Sequence, residues 1–236
     1  AFFFFFHVGN AGTAHSLIRS DFDLIKKTDG MYALLGGDYT DNFLKSSMIG
    51  PIIQSPIQPK EQLAIFEKLL TVIEPKIIAL ISGNHDEWTR AVSGLSIIER
   101  LCEERSLVYA PHQLRVEVKL PGQTYAIGIR HQGKSNSSLN AGHAVKSWRR
   151  SSADWPFDIG CIGHTHESCV ESFTHEGREH WAVRPGSYKI VDDFSRRLGF
   201  ATALPVMPVV ILYPKQRRIM AFSDLRSGAE ALTALR

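Results

Sequence analysis

An α/β fold of two packed β-sheets with helices outside them is predicted by three observations. In the first half of the chain, apolar runs ending in Gly, Asp, Asn or His alternate with stretches of helical periodicity, the pattern of β-α units and parallel strands. Between residues 114 and 120 the period changes. Leu114, Val116, Val118 and Leu120 alternate with Arg115, Glu117 and Lys119, as in a half-buried antiparallel strand. Beyond that point, short apolar runs separated by turn residues make the second half β-rich. No internal repeat or linker interrupts the 236 residues, and 44% hydrophobic content suffices for a substantial core, so a single domain over 1–236 is expected.

Ala1 is followed by five consecutive phenylalanines, Phe2 to Phe6, and then His7-Val8-Gly9-Asn10; the run reads as a buried first strand. A helix is expected over 13–27, where Leu17, Ile18, Phe22 and Ile25 recur at near-helical spacing. It leads to the apolar run Met31-Tyr32-Ala33-Leu34-Leu35, giving a β-α-β crossover and a parallel strand pair. This second strand ends in Gly36-Gly37-Asp38-Tyr39-Thr40-Asp41. The polar connection over 41–60, with Pro51, Pro56 and Pro59, has the length of a substrate-side loop. Leu63, Phe66, Leu70 and Ile73 mark a helix over 61–73, which Pro75 ends. Ile77-Ile78-Ala79-Leu80-Ile81 is a buried strand that stops at Ser82 and delivers Gly83-Asn84-His85-Asp86 at its end, where the glycine lets the backbone turn tightly enough to present Asn84 and His85; alone, the tetrapeptide would equally suit an ordinary turn. Ile97, Ile98 and Leu101 lie on a helix over 96–105. After the alternating strand, Pro121-Gly122 turns the chain into a strand ending at Arg130-His131. A polar loop and short helix fill 135–150, and a buried strand over 158–163 ends in Gly163-His164-Thr165-His166. Short strands are expected at 170–174, 180–183, 209–213 and 219–222.

Charged residues make up 22% of the chain and the formal charge is +3, a balance that permits a polyanionic partner without requiring one. The three cysteines, Cys102, Cys161 and Cys169, have no framework spacing. Cys102 and Cys161 read as small core hydrophobes, which suits a reducing cytoplasm. No apolar segment reaches membrane-spanning length and no secretory signal is evident, so a soluble, cytoplasmic protein away from membranes is expected.

Four apolar strands thus end in metal-type ligands: Asp38, Asn84, His131 and the His164-x-His166 pair, with His7 after the first strand. Mixed oxygen and imidazole donors suit manganese, iron or zinc, whereas magnesium or calcium would call for oxygen alone. The x spacing of His164 and His166 on an extended end sends both imidazoles to one side. Two cations a few ångströms apart would supply a deprotonated bridging water, neutralised phosphate oxygens and charge stabilisation for phosphoester hydrolysis. His85, beside Asn84, remains available to protonate a leaving alkoxide.

The ordered series Gly37-Asp38-x-x-Asp41, Gly83-Asn84-His85-Asp86, His131 and Gly163-His164-Thr165-His166 closely resembles the calcineurin-like metallophosphoesterases, and the resemblance spans most of the chain. It implies a four-layer α-β-β-α sandwich of two mixed β-sheets flanked by helices. It implies two divalent metal ions, manganese expected and iron or zinc also suited, with Asp38 bridging them. His7 and His166 would complete the first site, and Asn84, His131 and His164 the second. It also implies that Asp41 orients and holds protonated the general acid His85. In the first motif of that family, Asp-x-His, the aspartate would stand at position 5, where this chain has Phe5. A benzyl group cannot ligate a cation. Either the first metal lacks a ligand, or the low-complexity start, without an initiator Met, departs from the native sequence.

Within the family, Asn42 and Phe43 after Asp41, and Asp86 in place of Glu, point away from the serine/threonine protein phosphatases. The motif set looks more like the bacterial and phage nuclease-type branch related to double-strand-break repair exonucleases, though the chain is too short for their capping domain. DNA phosphodiesters are therefore the favoured substrate. A phosphoesterase acting on nucleotides or other small molecules, and a catalytically impaired scaffold with a protein partner or homo-oligomer, are the rivals; Phe5 speaks for the last. Arg130, Lys134 and His143 are candidate substrate contacts, with Arg149 and Arg150 in the same basic cluster. His15, His112, His175 and His180 read as structural.

Overall fold

In the computed structural model, which describes residues 1–42, 57–137, 139–191 and 204–236, the first half of the chain builds one sheet. Its strands β1 (Phe2–Phe3), β2 (Ala33–Leu35), β3 (Ile77–Ile81) and β4 (Tyr109–Ala110) are hydrogen-bonded in that order. All of these pairings are parallel, so among the described residues this sheet is not mixed, as had been expected of both. The reason lies in the connections. Helices α1 (His15–Lys27), α2 (Pro59–Ile73), α3 (Asn84–Ser93) and α4 (Ile97–Glu104) carry the chain back between strands, and a returned strand runs parallel to its predecessor. Most of the proline-containing connection over 41–60, with Phe43, lies outside the described residues.

The second sheet is mixed. Strands β5 (Gln113–Leu120), β6 (Gln123–Arg130), β7 (Ile159–Ile162), β8 (Cys169–His175) and β9 (Arg178–Arg184) stand in the order β5-β6-β7-β9-β8, with parallel pairs in the middle and antiparallel pairs at both edges. The expected alternation holds: Leu120 pairs with Gln123 across the Pro121-Gly122 turn, where Gly122 has a φ of 87°. Helix α5 (His143–Ser151) precedes β7. A ribbon of β10 (Val209–Leu212) and β11 (Ile219–Phe222) and a helix α6 (Leu225–Ala234) complete the described chain.

Among the described residues, three apolar clusters fill the spaces between four layers. Ile18, Phe22, Ile25, Phe66, Leu70, Ile98 and Leu101 pack helices against Phe3, Phe6, Leu35 and Leu80 on the outer face of the parallel sheet. Phe2, Phe4, Phe5, Leu34, Ala79 and Ile81 meet Ile127, Ile129, Ile159, Cys161 and Val183 between the two sheets. Ala144, Val145 and Trp148 of α5 pack on Phe157, Ile162 and Ala182 outside the second sheet. The result is the expected α-β-β-α sandwich, and each fully buried Phe contributes roughly 1.5–3 kcal/mol of transfer free energy.

The phenylalanine run divides between two of these clusters, and its alternation breaks at one residue. Phe3 faces the helices while Phe2 and Phe4 face the second sheet, as a strand period of two requires. Phe5, at a φ of 55°, stays on the inter-sheet side and passes Phe6 to the helical side. The regular ladder stops at Phe3, yet the chain keeps to its neighbour: the N–H groups of Phe5, His7 and Val8 donate to the carbonyls of Gly37, Asp38 and Tyr39 at 3.1, 2.9 and 3.1 Å.

Beyond the ends of β2 and β3, the buried Tyr39 hydroxyl contacts two strand carbonyls, Ile81 O at 2.7 Å and Leu35 O at 3.1 Å. Tyr39→Phe should leave these acceptors short of a donor and lower stability by about 1–3 kcal/mol, read as a lower urea midpoint at unchanged slope. Among the described residues no helix is long and apolar enough to cross a membrane.

Candidate metal centre

The donor side chains stand past the carboxyl ends of strands from both sheets: His7 beyond β1, Asp38 beyond β2, Asn84 beyond β3, His131 directly after β6, and His164 and His166 beyond β7. In parallel α/β sheets these ends share an edge, where ligands bind. Asn84, His85 and Asp86 open α3, with Gly83 as its N-cap, so the stretch is not an ordinary turn. Asp86, at the third helical position, accepts from Gly83 N at 2.7 Å, Asp38 N at 2.8 Å and Tyr39 N at 3.1 Å, so one carboxylate ties the two motifs together. Residue 83 has to be glycine. A Cβ there would lie 2.2 Å from Asp38 Oδ1 and 2.7 Å from His131 Cε1.

Asp38, Asn84, His131 and His164 converge. Asn84 Oδ1 is 3.0 Å from His131 Nε2 and 3.2 Å from His164 Nδ1, and Asp38 Oδ2 is 3.3 Å from His131 Nε2. His131 Nδ1 lies 2.8 Å from the carbonyl of Gly36, an acceptor that assigns the ring hydrogen to Nδ1. The lone pair of a neutral His131 at Nε2 then faces two oxygen acceptors, an arrangement that needs a positive charge between them. His7 lies next to this group, its Nε2 3.7 Å from Asp38 Oδ2 and its Nδ1 3.4 Å from Asp41 Oδ1. Although His7 is only 1% exposed, neither ring nitrogen makes a hydrogen bond among the described residues. His7, Asp38 and His85 also each offer a donor atom within 4.8 Å of one another. Orphaned imidazole nitrogens and facing acceptors are what a divalent cation would satisfy, so this donor set fits one.

Phe5 does not fit. Its ring is buried among the donors, with centroid distances of 4.4 Å to His166, 5.5 Å to His131 and 6.4 Å to His7, and it supplies only hydrocarbon. Its left-handed backbone is one that Asp or Asn adopts more readily than a bulky residue. His7, Asp38, His164 and His166 share this conformation, at φ of 42°, 55°, 73° and 59°. Left-handed non-glycine residues cluster here, as they do where a site imposes backbone strain.

Electrostatics follow from burial and from Asp38. Desolvation holds His7 well below its ordinary range and pushes His85 down to about 4 and His166 down to about 3; it also lowers His164. For His131 desolvation acts the same way, but the Asp38 charge and hydrogen bond prevail and its pKa is raised. The histidines around Asp38 hold its carboxyl well below the usual range despite burial. Burial, and then the Asp38 charge, push Asp86 up to about 7, against the Gly83 and Asp38 N–H donors and the charge of His131.

These shifts set a pH dependence. Near pH 5 an unfolded chain carries protons on His7, His85 and His166 that the folded chain lacks, while folded Asp86 holds one that the unfolded carboxyl has lost. On balance unfolding takes up protons, so stability of the metal-free protein should fall as pH drops from about 6 towards 4. A Tm series in chelator over that range checks this; a flat profile would contradict it.

Asp41 meets His85 through its main chain: His85 Nδ1 is 2.6 Å from the Asp41 carbonyl, while the Asp41 carboxylate accepts from Asn10 Nδ2 at 3.0 Å and flanks His7. The Trp88 ring lies tilted against His85, centroids 4.1 Å apart. Arg130 lies over Trp148 at 4.9 Å, Lys134 is exposed, and His143 is exposed at the first position of α5. No described contact joins these three to the histidine cluster. Lys189, by contrast, lowers the pKa of His7, His85 and His166 by its charge, although its place in the sequence gave no hint of this. It is brought there by the pairing of Lys189 with Thr13 and by Ile190 N donating to Gly12 O at 2.9 Å.

Neither family models nor curated proteins give a match to this chain. Among solved structures, the chain is similar to Vacuolar Protein Sorting 29 from Cryptosporidium parvum, at 18% identity over 94% of this chain and 96% of that one, with a TM-score of 0.45. A zinc complex of the protein of that name from Entamoeba histolytica gives 15% identity, 94% and 96% coverage and a TM-score of 0.46. A metallophosphoesterase from Sphaerobacter thermophilus gives 12%, 99% and 92%, and 0.41. At these identities and TM-scores the likeness bears on neither substrate nor activity.

Proposed function

We propose that this chain is a metal-dependent phosphoester hydrolase of the calcineurin-like type, with DNA phosphodiesters as its favoured substrate. The observation that carries the reading is the convergence of Asp38, Asn84, His131 and His164 from the ends of four separate strands, beside a His7 whose buried nitrogens lack hydrogen bonds among the described residues. Asp38, Asn84, His131 and His164 would hold one divalent ion, and Asp38, His7 and His166 a second one more weakly, since Phe5 adds no donor there; manganese comes first, with iron or zinc as alternatives. When bound, such a pair supplies an activated water nucleophile and neutralises phosphate oxygens.

The chain's own residues do the rest. The Asp41 carbonyl takes the Nδ1 hydrogen of His85, which directs Nε2 towards the leaving group as general acid. Metal-free His85 is held neutral by burial, and the negative charge of an adjacent phosphate would favour the imidazolium it needs. Arg130, Lys134 and His143 are the proposed substrate contacts. The DNA preference is supported by the motif series and the mildly basic chain, and steep weakening of binding with salt would separate it from a nucleotide-sized substrate. The three cysteines are unpaired, in keeping with a cytoplasmic setting.

His85→Ala tests the reading. Turnover of a phosphodiester with manganese should fall about a hundredfold or more while cation content per chain stays constant. Loss of cations instead would make His85 a ligand. A second reading, a scaffold that binds protein partners, is favoured by Phe5 among the donors; wild-type protein inert on every phosphoester tried with manganese would establish it over the enzyme.

A further inference from the structure

Strand β9 ends at Arg184, which is 1% exposed and forms no ion pair with any described residue. A buried guanidinium is stable only where its N–H groups are satisfied. Here Nη2 donates to the Gly163 carbonyl at 2.9 Å and to the Thr165 hydroxyl, Nε to the Ile162 carbonyl at 3.4 Å, and Nη1 to the Ala141 carbonyl at 3.0 Å. Three of these four acceptors belong to the end of β7 and the loop that follows it, the loop carrying His164 and His166. The fourth lies two residues before His143.

That loop needs holding. His164 and His166 both sit in left-handed backbone, which a free loop would leave for more extended conformations. Gly163 allows the approach from below, since a Cβ there would be 2.4 Å from the Phe5 ring and 2.6 Å from Phe4. Charge does not explain the choice of residue, because a cation beside the histidines opposes a bound metal; the Arg184 charge lowers the pKa of His164. Reach and shape do. A planar fork with five donors can engage carbonyls of two segments at once, which a lysine ammonium cannot.

We propose that Arg184 is a positioning residue: through its fork it fixes the 162–166 loop so that the imidazoles of His164 and His166 are preorganised for a shared ligand, and it ties that loop to the segment leading into α5. The inference rests on the metal-site reading for its purpose, but not for its structural content. Amide hydrogen exchange of the metal-free protein therefore tests it directly. In Arg184→Met, exchange at residues 163–166 should rise about tenfold or more while β2 and β3 keep their protection. Zinc affinity should fall by about ten- to a hundredfold, and Arg184→Lys should recover part of each loss. A folded Arg184→Met whose loop exchanges like the wild type, or loosens without any loss of zinc affinity, would overturn the proposal. If the methionine variant does not fold, Arg184→Lys decides by the same exchange criterion, a wild-type rate counting against it. If the wild type takes up no zinc, the metal-site reading fails, and the exchange comparison alone decides on Arg184.

Discussion

Asp38→Asn is expected to empty the site of cations and to lower phosphodiester hydrolysis by roughly four powers of ten, equivalent to about 5.5 kcal/mol of transition-state stabilisation. The substitution keeps the shape and leaves an oxygen to accept from His85 N, now at 3.0 Å, and asparagine tolerates the left-handed backbone at that position. What it removes is the negative charge shared by His131 and His7. The pKa of His131 should drop with it, since the Asp38 charge is what raises it. Elemental analysis after manganese loading and desalting, alongside a hydrolysis assay, reads both effects. Full cation content in a folded Asp38→Asn protein would remove Asp38 from the centre of the site.

Phe5→Asp should produce the second large change, in the opposite direction. Without metal the variant loses a fully buried ring and gains a carboxylate between the two sheets, a change that should destabilise it by about 3–5 kcal/mol. Divalent cation should then restore stability, by about 2.7 kcal/mol at a hundredfold excess over the dissociation constant. The wild type should hold fewer cations than the variant, which should hold two. Melting curves with and without manganese, together with cation counts, check this. Two cations already present in the wild type, with no further gain in the variant, would show that the Phe5 ring does not stand in the way.

Much of the fold could be read from the apolar runs, because a buried strand in an α/β sandwich writes its length and its end directly into the sequence. β3 spans the expected 77–81, and the strand leading to His131 ends one residue before it, at Arg130. What escaped notice depends on partners remote in sequence. β4 has only two residues and exists because Tyr109 and Ala110 pair with Leu80 and Ile81. α6 does carry a local start signal, Asp224 accepting from Ser227 N at 2.9 Å, but its sparse apolar residues gave no strong period. Glycine and asparagine at 83 and 84 favour turns and helix caps alike, and the Asp86 carboxylate decides for the cap.

The candidate site divides in the same way. Its donors stand out by residue type at strand ends. The role of the Asp41 main chain, the reach of Lys189 and the four contacts of Arg184 follow only from how loops lie against one another.

The donors of the centre span positions 7 to 166 and come from two sheets that meet across a hydrocarbon seam. Neither sheet alone carries a complete set, so the centre assembles only once the long-range docking of the two halves is finished, and contacts of such sequence separation form late and slowly. A cation bound there would then act as a clasp across that seam, engaging after the folding barrier has been crossed. It should slow unfolding while leaving the refolding rate almost untouched, and a protease meeting the loaded chain would wait on the opening of the clasp.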